Sequence, residues 1–310
     1  MKHLITLADW TTDEIRETIK LALHVKAHPG TYSGACAGKT MLMIFEKPSL
    51  RTRLSFEAGM TQLGGHAIYY DTSRSPMGSG KESLHDTIKT ASRFVDIVMA
   101  RLFEHAHIEE MARYSHVPVI NALTNFSHPC QILGDLQTII EKKGCVKGLK
   151  LAYVGDCNNN VTHSLMFGCA KMGMNIAVGS PAGAEYEPGP AVIARARAIA
   201  AEMGSEVVIT NDAAAAVKDA DVVYTDSWMS YHIPADQMKR RVETLMPYQV
   251  NEALMAHAKS DAIFMNCLPA LRGYEQSAEV IDGRWSVVFD EAENRLHAQK
   301  AVILKLLGLV

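Results

Sequence analysis

The chain has 310 residues, more than one hydrophobic core usually serves, and 48% of them are apolar, enough for two cores. Lys and Arg total 31 against 34 Asp and Glu, a formal net charge of −3, so the overall electrostatics give no reason to expect nucleic acid binding. Six scattered cysteines without a CxxC pair fit reduced thiols, the N-terminal stretch reaches Asp9 before a signal-like apolar core forms, and no run nears the roughly 20 apolar residues of a membrane span, so a soluble cytoplasmic protein is expected.

Thr11 and Glu14 form a capping-box signature that opens a helix running to about Lys26. The apolar run 39–45 predicts a buried strand, and 51–63 predicts a helix stopped by Gly64 and Gly65. A strand at 66–70, a helix at 83–93, a strand at 95–100, a helix at 104–114, a strand at 117–120 and a helix at 129–142 follow. The polar, glycine-marked segment 143–148 predicts a domain boundary. A second alternating series places strands at 150–154, 175–179, 206–209, 222–224, 262–265 and 287–289, with helices between them and a Gly/Pro loop at 182–190. The last helix, 291–307, comes after that series and is expected to pack back on the first domain.

Repeated βα units predict an α/β protein of two domains, each a parallel sheet flanked by helices. The expected division is 1–145 with 291–310, and 146–290. Ligands in such folds sit at the carboxyl ends of the strands, and the chemistry-bearing residues fall there. After the strand ending at Phe45 come Lys47, Ser49, Arg51, Thr52 and Arg53, cations and hydroxyls at the start of a helix. A helix N-terminus offers unpaired N–H groups and a positive dipole end, and Arg51 adds a fork suited to phosphate oxygens, so the stretch reads as an anion cradle. Taken alone it is equally a capped surface helix. His128 and Gln131 lie one turn apart at the start of another helix, and Arg101 ends a third strand at the same sheet edge. Arg101 in isolation reads as a surface ion-pair partner, and Cys130 as a packed thiol.

Ser49-Leu50-Arg51-Thr52-Arg53, Met99-Ala100-Arg101, His128-Pro129-Cys130-Gln131 and Asn266-Cys267-Leu268-Pro269 together resemble the aspartate/ornithine carbamoyltransferase family over nearly the whole chain. Asp226-Ser227-Trp228-Met229-Ser230 and Asp290-Glu291-Ala292-Glu293-Asn294-Arg295 are similar to its ornithine-specific branch. The resemblance implies a first domain that binds carbamoyl phosphate and a second that binds L-ornithine, with L-citrulline and phosphate as products and no cofactor or metal. It implies carbamoyl phosphate contacts from Ser49, Leu50, Arg51, Thr52, Arg101, His128, Gln131, Cys267, Leu268 and Arg295. Ornithine contacts are implied for Asn160, Asp226, Ser230, Tyr231, Cys267 and Leu268. Arg101, His128, Cys267 and Asp226 are the implied catalytic set. The donor carbonyl must be polarised and the amine deprotonated, because an alkyl amine with pKa near about 10.4 is mostly protonated at neutral pH.

Two departures from the family pattern touch the acceptor side. Asn266 stands where a histidine usually precedes the cysteine, and Tyr231-His232 follows Ser230 where Met-Gly is usual. Putrescine or an N-acylated ornithine is therefore the alternative acceptor, and a non-catalytic carbamoyl phosphate sensor the alternative from another class. The resemblance further implies a homotrimer or a multiple of trimers, with the loop 73–81, which carries Lys81, reaching a neighbouring subunit. Gly155-Asp156-Cys157 lacks the full dinucleotide fingerprint, and no HExxH or CxxC suggests a catalytic metal.

Overall fold

The computed structural model describes residues 1–229 and 233–310. By packing, the chain divides into one unit of Met1–Gln137 with Glu293–Val310 and a second of Thr138–Ala292.

In the first unit, α1 (Thr12–Ala27) starts with the expected reciprocal cap, Thr11 accepting from the Glu14 amide and Glu14 from the Thr11 amide. Then follow β1 (Thr40–Phe45), α2 (Leu50–Gln62), β2 (His66–Asp71), α3 (Leu84–Ala91), β3 (Ile97–Arg101), α4 (His105–Tyr114), β4 (Val119–Leu123) and α5 (Pro129–Lys143), whose last turn and a half belongs to the second unit. The four strands pair in parallel in the order β2-β1-β3-β4. The predicted strand at 117–120 starts later, at Val119, because Pro118 has no N–H for the ladder; its carbonyl still accepts from Val98. Phe45 is in register with both Asp71 and Arg101, so three strand ends finish level with one another. A register shift between Ala100 and Arg101 against β4 re-aims the strand end at Arg101.

The second unit contains β5 (Lys150–Val154), α6 (Asn160–Lys171), β6 (Asn175–Gly179), α7 (Pro190–Met203), β7 (Val207–Thr210), α8 (Ala213–Val217), β8 (Val222–Tyr224), α9 (Met238–Leu245), α10 (Glu252–Met255), β9 (Ile263–Met265) and α11 (Ala278–Ile281). Its five strands are also parallel, in the order β7-β6-β5-β8-β9. α6 is buried from Val161 to Ala170, including the polar side chains of Thr162, His163 and Ser164.

The strand predicted at 287–289 does not form. Only Ser286 bridges to Phe264, and α12 (Val288–Leu306) begins two residues later. The apolar run Val287-Val288-Phe289 is instead the turn into a helix, with Val288 buried and Phe289 exposed. From Glu293 onward α12 belongs to the first unit, as predicted for the last helix, where Gln299 donates to Ser55 and Lys300 to Gln62.

Candidate active site

The first cluster lies at the level strand ends of the first unit. Ser49 caps α2, its hydroxyl accepting from the Thr52 amide at 3.2 Å and donating to Thr52 Oγ1 at 3.0 Å. Arg101 Nη1 reaches Thr52 Oγ1 at 3.4 Å, so β3 and the start of α2 meet through these side chains. Arg101, Thr52, His128 and Gln131 are all buried, whereas Arg51 is half-buried and the Leu50 side chain points outward.

Burial, followed by the charges of Arg295, Arg101, Lys47 and Arg51, holds the His128 imidazole well below its usual range. A neutral ring among four cations is a hydrogen-bond donor that adds no fifth positive charge. Gln131 accepts from Arg295 Nη1 at 2.6 Å and donates to Asp135 at 2.8 Å, while Arg295 Nε donates to Gln299 at 2.9 Å. This chain of bonds holds the C-terminal helix's arginine beside the first turn of α5. Burial pushes the Cys130 thiol up to about 12, and it donates to the Asn121 carbonyl, a packed thiol as read from the sequence.

Lys47 is absent from the ligand set drawn from the sequence, although it belongs to the same cationic stretch. It is buried, lies 4.4 Å from the Phe103 ring centroid and donates to Asn125 at 3.3 Å. Burial first, then Arg101, brings its ammonium down to about 8. Its signal was the position two residues past a buried strand, where a lysine is flanked by protein instead of water.

The second cluster lies at the ends of β5, β8 and β9. Gly155, at φ 127, follows β5; a Cβ there would lie 3.0 Å from Trp228 Nε1 and 3.2 Å from Thr225 Oγ1, so a side chain is excluded. Asn159 does the structural work of capping α6, accepting from the Val161 and Thr162 amides at 2.9 Å, and Asn160 stands next to it in the first turn, half-buried. Asp226, two residues past β8, accepts from the Ser227 amide at 2.7 Å and from Cys267 Sγ at 3.1 Å. The carboxylate and thiol proposed from the sequence are thus in direct contact. Leu268 adopts φ 54, a left-handed conformation costing a non-glycine residue about 1–2 kcal/mol, and its amide donates to Asn266 Oδ1 at 2.8 Å. Ser230 and Tyr231 lie outside the described residues. Among the described residues no group of three or more potential metal ligands occurs, and no helix is long and apolar enough to cross a membrane.

Residues 2–141 match the family model for the aspartate/ornithine carbamoyltransferase carbamoyl-P binding domain, and residues 147–306 match that for the Asp/Orn binding domain. A protein of Anoxybacillus flavithermus named ornithine carbamoyltransferase is 50% identical over 308 residues, 99% of this chain and 96% of the relative. One of Thermococcus kodakarensis with the same name is 50% identical over 309 residues, with the same coverage of 99% and 96%. The solved structure of ornithine carbamoyltransferase from Pyrococcus furiosus superposes with a TM-score of 0.94 at 48% identity, over 99% of this chain and 97% of that one. That of ornithine transcarbamoylase from Giardia lamblia gives 0.90 at 43% identity, over 98% and 97%.

Proposed function

The chain belongs to the aspartate/ornithine carbamoyltransferase family, and from that premise we propose that it transfers the carbamoyl group of carbamoyl phosphate to the side-chain amine of L-ornithine, giving L-citrulline and phosphate. The choice of ornithine is carried by one observation, the near-full-length match to proteins bearing that substrate's name.

In this reading the first unit takes the donor and the second the acceptor. Ser49, Arg51 and the backbone at Leu50 and Thr52 hold the phosphate. Arg101, neutral His128 and Thr52 donate to the carbamoyl oxygen as negative charge builds there, with Gln131 and Arg295 behind them; by the family resemblance Cys267 and Leu268 also count among the carbamoyl phosphate contacts. Asn160 takes the ornithine carboxylate, and Asp226 and Ser230 its α-ammonium, with Tyr231 beside them. Cys267 and Leu268 face the reacting amine, and the Asp226–Cys267 pair accepts the proton it sheds. The C–N bond then forms, the C–O bond to phosphate breaks, and phosphate leaves with the electron pair. Carbamoyl phosphate is already an activated acyl donor, so the step needs no cofactor.

An acceptor panel at fixed carbamoyl phosphate tests this. Ornithine should give the highest kcat/KM, with citrulline as product. A better rate with putrescine or an N-acylated ornithine would reassign the acceptor, and no turnover with any amine would leave a carbamoyl phosphate sensor.

Lys47 supplies a pH prediction. Its ammonium, depressed to about 8, is charged below that pH and neutral above it. Carbamoyl phosphate affinity should therefore weaken by about tenfold as pH rises from 7 to 9, the size of one charge-assisted bond. Titration calorimetry should find the inflection removed in Lys47→Arg, whose guanidinium stays charged. An unchanged profile in that variant would exclude Lys47 as its source.

We also propose a cytoplasmic homotrimer, or a multiple of trimers. Leu50 and Leu54, 68% and 56% exposed one turn apart on α2, form an apolar stripe beside the phosphate cradle. The loop 73–81 supplies a Gly-bearing tip with an exposed Lys81 that suits a neighbour's site. Light scattering should give three times the chain mass of 34.0 kDa or a multiple of that trimer. Mixing an Arg101 variant with one lacking residues 75–81 should restore activity once subunits exchange; a monomer, or no recovery, counts against the shared site.

A further inference from the structure

The two loops that bring Asp226 and Cys267 together are tied by a residue that has no place in the ligand set. Glu275 is 1% exposed and makes no ion pair with any described residue. Its Oε1 accepts from the Trp228 amide at 3.2 Å, two residues beyond Asp226, and its Oε2 from the Leu271 amide at 3.1 Å, four residues beyond Cys267. Burying a carboxylate without a cation is costly, so two backbone amides on different loops are a specific use of its two acceptor atoms.

The neighbouring residues complete the clamp. Gln276 donates to the Leu271 carbonyl at 3.1 Å and accepts from Asn266 Nδ2 at 3.1 Å, and Asn266 in turn holds the Leu268 amide. On the other loop the Trp228 carbonyl accepts from Arg241 Nε at 2.9 Å, and Arg241 is paired with buried Asp156. Trp228 is thus gripped at both ends of its backbone, and the Cys267–Leu271 turn at three points. Asn266, a departure from the family pattern, is the side chain through which Gln276 reaches the strained Leu268.

We propose that Glu275 is the positioning residue of the acceptor site, fixing the separation of Asp226 and Cys267 by holding one loop with each carboxylate oxygen, with Gln276 and Asn266 setting the turn at Leu268. The inference rests on the reading that Asp226 and Cys267 form the ornithine site. An amide in place of the carboxylate keeps the shape but offers one acceptor and turns an NH2 toward a backbone N–H, so Glu275→Gln isolates the second acceptor.

The experiment measures ornithine KM, kcat, carbamoyl phosphate affinity by calorimetry, and the alkylation rate of Cys267 by iodoacetamide with peptide mass spectrometry. Glu275→Gln should raise ornithine KM by about tenfold or more, the cost of a lost hydrogen bond to a charged group, with carbamoyl phosphate affinity within about twofold of the parent. Cys267 should alkylate faster, because its contact with the Asp226 carboxylate, which favours the neutral thiol, is loosened. Glu275→Asp, which keeps two acceptors on a shorter stem, should recover part of the KM effect. Gln276→Leu should move KM and alkylation in the same direction, and it carries the test if Glu275→Gln fails to fold. Asp226→Asn is the control: if it leaves ornithine KM unchanged, the acceptor-site reading fails. If Asp226→Asn raises KM while Glu275→Gln and Gln276→Leu alter neither KM nor alkylation, the positioning role is overturned. It is equally overturned if donor affinity falls in step with KM, the pattern of a general loss of structure.

Discussion

Arg101→Ala is expected to lower kcat on the order of 100- to 1,000-fold, the loss seen when one well-placed donor to a developing oxyanion is removed. Arg101 is buried at a bulged strand end, and its guanidinium meets Thr52 Oγ1. Alanine cannot reach that position, and the vacated space admits water, which screens the remaining donors. The effect should fall on kcat more than on carbamoyl phosphate affinity, because Ser49, Arg51 and the helix start remain to hold the phosphate. A second readout follows from His128. Arg101 is one of the charges that depress its imidazole, so the His128 pKa should rise in the variant, visible by NMR titration. A variant with near-parental kcat would remove Arg101 from the oxygen-binding set.

Asp226→Asn should lower kcat/KM for ornithine by roughly 30-fold to several thousand-fold, the range for truncating one partner of a hydrogen-bonded charge pair at about 2–5 kcal/mol. The asparagine is nearly isosteric, so the loops should remain folded. It removes the negative charge that faces the α-ammonium and leaves a weaker acceptor for the Cys267 thiol, now held at 3.1 Å. Calorimetry should find carbamoyl phosphate affinity unchanged. If donor affinity collapsed while ornithine KM held, the assignment of substrates to the two units would be reversed.

Much of this was legible in the sequence because parallel strands are buried on both faces and read as short apolar runs. β5, β6 and β8 fall where the runs at 150–154, 175–179 and 222–224 lie. The errors came where one residue decides the backbone. Pro118 delayed β4, and the apolar pattern at 287–289 served equally for a strand and for the first turn of a helix. In the site, residues tied to a strand end or a helix start were readable, since those positions announce an exposed N–H or a carboxyl-end loop. Lys47 was readable as a member of the cationic stretch but not as a buried ammonium, and Glu275 was not readable at all, because its meaning lies in which backbone amides surround it. Glu275 is far from Asp226 in sequence, and nothing in Tyr274-Glu275-Gln276 says that its two oxygens meet different loops.

The cap on α2 has a consequence for which anions enter. The Thr52 amide already donates to the Ser49 hydroxyl, which in turn donates to Thr52 Oγ1. A ligand that takes the Thr52 amide must first break its bond to Ser49, forfeiting an N-cap worth about 1 kcal/mol. A chloride ion or a neutral carbonyl gives up as much as it gains. An oxyanion with several charged oxygens can occupy all the freed donors at once and add Arg51. The same three atoms therefore act as an admission threshold, favouring multidentate anions before any recognition of the carbamoyl group begins, and amide exchange at Thr52 should register the change of partner.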